Sequence, residues 1–193
     1  MEATRKHVRQ TKSFPAEFGQ WLRDARAGDG AGFTALYTWL APEVKQFAVG
    51  RGARDADAAT NDAFVACFSR LDEFRGDAQG FRAWVFTTVR NRLIDQHRAE
   101  RRRPPVADGE RPLEEPAPSA EELALAGLGG ERVAGLLQTL TDAQQEVLLL
   151  RVVTGLSLQE TADVVGRPVT AVKRLQARAL ERLKQAISDE TVS

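Results

Sequence analysis

Lys173, Arg174 and Arg178 lie within two helical turns of one another, and on an α-helix they share a side with Val169, Thr170 and Ala177. The short side chains of Val169 and Thr170 let such a face approach a DNA major groove closely. The three cations can then meet phosphates or the acceptor atoms of guanine. The chemistry on offer is recognition of a polyanion, with no bond made or broken. A charge run of this kind ordinarily means only a solvated face. Here it coincides with the turn and packing signals of a two-helix motif. Nothing elsewhere offers catalysis: the sequence holds no nucleophile–base pair and no phosphate-cradling glycine loop. His7 and His97 are far apart and Cys67 is the single cysteine, so a disulfide framework and a His- or Cys-rich metal centre are excluded. No catalytic residue, metal ligand or cofactor is assigned.

The face needs a scaffold, and the surrounding residues supply one. Leu158–Ala177 reads as a helix-turn-helix. Ala162 is small where two helices must cross, and Gly166 falls at the turn, where a positive φ is needed. Val165, Val172 and Leu175 lock the second helix onto the first. Pro168 is tolerable at the first helical position, where its missing N–H costs least. Upstream, Val133, Leu136, Leu137 and Leu140 form an apolar stripe. Thr141 with Gln144, and Ser157 with Glu160, are two capping boxes that fix helix starts. The unit spans 131–187 and, being so short, is only marginally stable alone.

The remainder of the chain has the same all-α character. Helical spacing links Phe18, Trp21, Leu22 and Ala25, and likewise Phe33, Leu36, Tyr37, Leu40, Val44 and Phe47, with Pro42 expected to kink or restart that helix. Ala56, Ala59, Ala63, Phe64, Cys67, Phe68 and Leu71 form a third stripe. After a turn-rich loop, Asp72–Gly80, the residues Phe81, Trp84, Val85, Thr88, Val89 and Ile94 mark a long helix with a basic end. This gives a first domain over 16–103, preceded by a basic tail over 1–15, with a short tail over 188–193 closing the chain. Between the domains, 104–130 holds five of the eight prolines and reads as a flexible, Pro-rich acidic linker. Its relaxed span is about 25–30 Å.

Across 193 residues, 27 Lys+Arg balance 27 Asp+Glu, but the distribution is uneven. Residues 90–103 carry six Arg against two acids, 104–126 six acids against one Arg, and 167–184 six cations against one acid. Two cationic patches around an anionic stretch imply two separate contacts with a polyanion. No apolar run reaches the roughly 18 residues of a membrane span, and the N-terminus lacks the apolar core of a signal peptide. A reduced, cytoplasmic protein is expected.

Three segments together resemble the extracytoplasmic-function sigma factors of the sigma-70 family. Asp55–Phe64 (DADAATNDAF) is similar to that family's acidic polymerase-binding segment. Phe81–Arg98 (FRAWVFTTVRNRLIDQHR) is similar to its promoter −10 segment, with Trp84, Asn91, Asp95 and Arg98 in register. Val172–Ala179 (VKRLQARA) is similar to its −35-reading helix at Val172, Lys173, Arg178 and Ala179. The resemblance runs from about residue 30 to 187. Departures are Ala58, Ala59 and Asp62 in the first segment, Leu175 in the last, and Ala171 just ahead of it.

The resemblance implies a non-enzymatic factor that binds core RNA polymerase, reads promoter DNA as duplex at −35 and as single strand at −10, and helps open it. Asp55, Asp57, Asn61 and Asp62 would dock on a polymerase coiled coil; Asp55 and Asp57 equally suit capping of their own helix. Arg90, Asn91, Arg92 and Arg98 would lie along the melted −10 strand, with Phe74 either a stacking face or a loop anchor. Trp84 is read as core, and Asp95 as the partner of Arg98 or Arg92. Val169, Thr170, Lys173, Arg174 and Arg178 would read the −35 element. The linker would thread the polymerase cleft, or serve only as a tether. An anti-sigma protein is a further implied partner. Two rival readings stand beside this one: a conventional helix-turn-helix regulator that binds operator DNA without polymerase, and an enzyme with a DNA-binding tail.

Overall fold

The computed structural model describes residues 14–101 and 130–192, and every regular element among them is helical. The first domain comprises α1 (Phe18–Arg26), α2 (Gly30–Gly50), α3 (Ala56–Phe68) and α4 (Ala78–Arg101). Short acidic side chains begin three of these helices. Asp29 accepts from the Ala31 amide at 2.9 Å, Asp55 from Ala58 at 2.8 Å and Asp77 from Gly80 at 2.9 Å. Each satisfies an amide that the helix itself leaves unpaired.

Helix α2 is the axis of this domain. Its Leu36, Leu40, Val44 and Phe47 are fully buried against Phe64 and Cys67 of α3 and Phe81, Val85, Phe86 and Val89 of α4. Each large apolar side chain buried in this way contributes about 1.5–3 kcal/mol. Helix α1 lies against the start of α2, so close that a Cβ on Gly32 would stand 2.3 Å from the Ala25 nitrogen.

Two expectations are corrected in α2. The helix runs unbroken through Pro42. The ring is exposed, and the carbonyl it orphans belongs to Thr38, on the solvent side, where water can satisfy it. Tyr37 is not core: it is 36% exposed and donates to Asn61 Oδ1 at 2.7 Å.

The second domain comprises α5 (Glu131–Gln138), α6 (Asp142–Leu148), a π-helical turn (Leu149–Val153), α7 (Leu158–Val165) and α8 (Val169–Val192). Both capping boxes form, Thr141 with Gln144 and Ser157 with Glu160. Gly166 ends α7 with φ +64°, and Ala162, Val165 and Val172 are buried where α7 and α8 cross. Pro168 stands one position earlier than expected: its carbonyl accepts from Ala171 and Val172, which makes it the residue just ahead of the helix. Helix α8 continues to Val192, so the stretch expected as a tail after 187 is helical up to that residue.

The two domains pack directly on each other. Helix α7 lies on α4, and the π-helical turn lies on the end of α2, where a Cβ on Gly50 would stand 2.7 Å from a Leu149 methyl. One apolar core runs through both units and includes Leu148, Leu149, Leu150 and Leu156. A domain this small buries too little of its own surface, and docking supplies the missing cover. Apart from Phe14, Pro15 and Gly130, the expected basic tail and linker lie outside the described residues.

Candidate nucleic-acid and protein interfaces

The cationic face of the helix-turn-helix is built from α8. Thr170, Lys173, Arg174 and Arg178 are exposed and Val169 is half-buried at the N-terminal end. Lys173, Arg174 and Arg178 make no ion pair with another described residue. Their opposite side, Val172 and Ala179, is fully buried on the remainder of the domain. The long side chains therefore project from a rigid support into solvent, the condition for contact with a phosphate backbone.

The cations of α4 are placed differently. The Arg90 Nε donates to Glu146 Oε1 at 2.8 Å, across the domain interface. Arg92 pairs with Asp62 at 3.4 Å and Arg98 with Asp95 at 3.8 Å, one helical turn back. Asn91 is exposed, and its carbonyl oxygen receives a long bond from Arg90 at 3.4 Å. Phe74 lies face to face with Trp84, ring centroids 5.3 Å apart and planes 5° from parallel, with Phe81 edge-on to it. Arg26 holds the same loop by donating to the Leu71 and Phe74 carbonyls. Trp84 thus covers one face of the Phe74 ring. Trp84 is half-buried in that cluster.

The acidic segment forms the exposed side of α3. Asp55 caps the helix, Asp57 pairs with Lys45 at 2.7 Å, Asn61 accepts from Tyr37, and Asp62 meets Arg92. Val65, one turn on, is 66% exposed beside them. Val65 falls off the apolar stripe of this helix, and sequence reasoning did not single it out. A surface groove of about 410 Å³ joins this side to α4 and is lined by Arg54, Asp55, Asp62, Arg92, Asp95 and Gln96. Cys67 is enclosed between α3 and α4. Burial pushes its thiol pKa up, against a smaller lowering by its hydrogen bond to Thr88, so it is a poor nucleophile.

Arg82 is the other residue that sequence reasoning missed. Its side chain is 2% exposed, at the centre of the domain interface, with Glu43 and Glu160 on either side. An arginine one position after the buried Phe81 carries no sign in the sequence that it will be covered by another domain.

Residues 33–103 match the family described as Sigma-70 region 2, and residues 136–185 match Sigma-70, region 4. The chain is 31% identical over 178 residues to the ECF RNA polymerase sigma factor BldN of Streptomyces coelicolor, covering 91% of this chain and 67% of that one. To the ECF RNA polymerase sigma factor SigD of Mycobacterium tuberculosis it is 32% identical over 175 residues, with 86% and 82% covered. The solved structure of CnrH in complex with the cytosolic domain of CnrY superposes with a TM-score of 0.66 at 29% identity, covering 88% of this chain and 96% of that one.

Proposed function

The chain belongs to the ECF RNA polymerase sigma factors, and on that premise we propose which of its residues carry each step of promoter recognition. As such a factor it binds core RNA polymerase, recognises the −35 and −10 elements and promotes melting for initiation. The domain over 131–187 reads the −35 duplex: α8 enters the major groove with Val169 and Thr170 at the base edges, while Lys173, Arg174 and Arg178 reach phosphates or guanine. The observation that carries this reading is the exposure of those three cations on the second helix of a capped helix-turn-helix.

The domain over 16–103 does the remaining work. Asp55, Asp57, Asn61 and Asp62 dock on a basic coiled coil of the polymerase, with charge complementarity setting register and encounter rate. Val65 adds an apolar contact at the centre of that face. Arg90, Asn91, Arg92 and Arg98 follow the melted −10 strand, and Asn91 offers both donor and acceptor to a flipped base. Unstacking a base costs a few kcal/mol. Capture of the strand by a basic groove offsets that cost, so opening needs binding energy and no catalytic residue. Phe74, with one ring face on Trp84, stands beside this set as a stacking face or as the anchor of its loop.

This work is done in the cytoplasm, where genome and polymerase meet. Among the described residues no helix is long and apolar enough to cross a membrane. CnrH is solved in complex with the cytosolic domain of CnrY, and we extend a protein partner of that kind, an anti-sigma protein, to this chain. Run-off transcription with purified core polymerase and a genomic promoter library tests the whole reading. Promoter-specific transcripts that need both components are expected. Tight duplex binding without any stimulation of core polymerase would favour a conventional helix-turn-helix regulator instead.

A further inference from the structure

Helix α8 is held to its own domain by a polar strut as well as by packing. Its inward side follows helical spacing through Val172, Leu175, Ala179 and Leu183, all buried or half-buried. Gln176 stands on the same side and is half-buried there. Its Oε1 accepts from Arg151 Nε at 3.3 Å. A second nitrogen of that guanidinium, Nη1, donates to the carbonyl of Leu156, the fully buried residue just ahead of the α7 cap. Arg151 thereby ties the start of the first helix of the motif to the middle of the second. It sits at the centre of the π-helical turn Leu149–Val153, beside the bond from the Thr154 amide back to the Leu149 carbonyl at 3.1 Å. Windings of that kind occur mostly as single turns and frequently at functional sites.

We propose that the Arg151–Gln176 strut is a positioning device for −35 recognition: it sets the rotation of α8 about its own axis, so that Arg174 meets the acceptor edge of a guanine while Lys173 and Arg178 hold phosphates. The proposal rests on the −35 reading given above. It assigns Arg151 and Gln176 a part in base preference although neither touches DNA.

Helix geometry carries the argument. Successive residues are about 100° apart around the axis, so Gln176 and Arg174 lie about 160° apart, almost diametrically opposite. Thr170, one turn before Arg174, shares its direction, and Lys173 lies to one flank. Anchoring Gln176 to the domain therefore aims Arg174 straight out of it, in agreement with the exposure of Arg174. Apolar contacts are non-directional, whereas a planar guanidinium fixes its acceptors in direction as well as distance. A roll of about 20° moves an atom at the outer helix radius of about 5–6 Å by roughly 2 Å. A bidentate arginine–guanine pair depends on bonds of about 2.7–3.2 Å and is lost by such a shift. A phosphate contact is chiefly electrostatic and tolerates it.

The two kinds of contact therefore respond differently to loss of the strut. Base discrimination falls, while the number of phosphates neutralised, and with it the salt slope, stays the same. A residue that merely stabilised the fold would lower Tm and weaken binding to every sequence alike. Leucine forms helix as readily as glutamine and continues the apolar stripe, so Gln176→Leu removes the acceptor and keeps the packing. Arg151 retains the Leu156 carbonyl and, being half-buried, can turn its freed nitrogen to water.

The test uses the full-length chain assembled with core polymerase, and −35 duplexes varied one base pair at a time. Fluorescence anisotropy over a salt series gives affinity and salt slope, and thermal unfolding gives Tm for each variant. In wild type a guanine should be preferred over the other bases by about tenfold, and Arg174→Ala identifies it by abolishing that preference. Gln176→Leu should cut the preference at the same base pair to about twofold or less, with salt slope and Tm near wild type. Combined with Arg174→Ala it should add nothing further, because the two residues act on one contact. Gln176→Glu, whose carboxylate also accepts from Arg151, should keep the preference. Unchanged discrimination in Gln176→Leu overturns the proposal. So does an equal loss in Gln176→Glu, or a weakening spread evenly over all sequences with a lowered Tm. Should the leucine variant not fold, Gln176→Ala carries the same test. Failure of the −35 reading itself would show separately, as a wild-type complex with no −35 preference or an Arg174→Ala variant that binds like wild type.

Discussion

Two arginine-rich faces with similar charge in the sequence end in opposite states in the fold. On α4, Arg90, Arg92 and Arg98 each face a carboxylate, from Glu146, Asp62 and Asp95. On α8, Lys173, Arg174 and Arg178 face solvent. Both stretches are net positive, so charge counting ranks them alike. For Arg90 and Arg92 the difference is tertiary: α8 presents its cations away from the body of the protein, while α4 lies between α3 and the second domain, which offer Asp62 and Glu146; Arg98 finds Asp95 on its own helix. One face is ready to meet a duplex. On the other, Arg90 would have to leave Glu146 to reach a phosphate, whereas Arg92 and Arg98 hold exposed partners that water already screens. That ordering suits a factor whose duplex contact precedes its single-strand contact.

The largest effect that would break this comparison lies on the ready face. Replacing both Lys173 and Arg174 with Ala should weaken −35 duplex binding by the polymerase–factor complex by about 1–3 kcal/mol per lost base contact, and reduce the salt slope by about one for each lost phosphate contact. Fluorescence anisotropy over a salt series measures both. Affinity unchanged at every salt concentration would remove α8 from the interface.

Asn91→Ala comes next and sharpens the contrast from the other side. Asn91 is the exposed member of the α4 set that no carboxylate engages, so its loss should leave −35 binding intact and impair opening at −10, by about the few kcal/mol that a flipped base requires. Permanganate footprinting of the promoter complex reads this directly. Normal reactivity of the melted thymines would withdraw Asn91 from strand capture.

Much of this architecture was legible before the fold was known. The two capping boxes and Gly166 located the helix-turn-helix because such signals are local: the residues involved are a few positions apart and their geometry does not depend on the remainder of the chain. The stripe Leu36, Leu40, Val44 and Phe47 gave the core of α2 for the same reason. What could not be read was which side chains meet across long sequence separations. Arg82 and Glu160 are far apart in the chain; Arg82 looks like an ordinary surface charge in its helix, and Glu160 shows only its local capping role. Tyr37 fits the apolar stripe of α2, yet its hydroxyl finds Asn61 on α3 and keeps it at the surface. Pro42 carries a strong local signal for a break, which burial of Leu40, Ala41 and Val44 on either side overrides. The acidic face and the −10 set were recognised by resemblance; that their members pair with each other, Asp62 with Arg92, needed the packing of α3 on α4.

A smaller effect probes the support beneath the ready face. Gly166 adopts φ +64° and a Cβ there would touch nothing within 4 Å, so Gly166→Ala has no steric clash to resolve. Its cost is the left-handed backbone alone, about 1–2 kcal/mol. Thermal unfolding should register that loss, while −35 affinity of the folded variant stays close to wild type. A large drop in affinity with little loss of stability would mean that the turn shapes the α8 face and does more than join it to α7.

The smallest effect separates the pairs that occupy α4 by depth. Asp95 and Arg98 form an i,i+3 pair in which both side chains are largely exposed, whereas Glu146 is buried beneath Arg90. Exposed pairs of that kind contribute within about 0.5 kcal/mol, because water screens the charges and two flexible side chains must be held together. Asp95→Ala should therefore leave the melting temperature almost unchanged. By removing a negative charge from beside the −10 strand, it should raise single-strand affinity slightly at low salt, an advantage that fades as ionic strength rises. A melting temperature lowered by several degrees would mean that the exposed pair holds the basic end of α4 in place, and the two arginine-rich faces would then differ in rigidity as well as in occupancy.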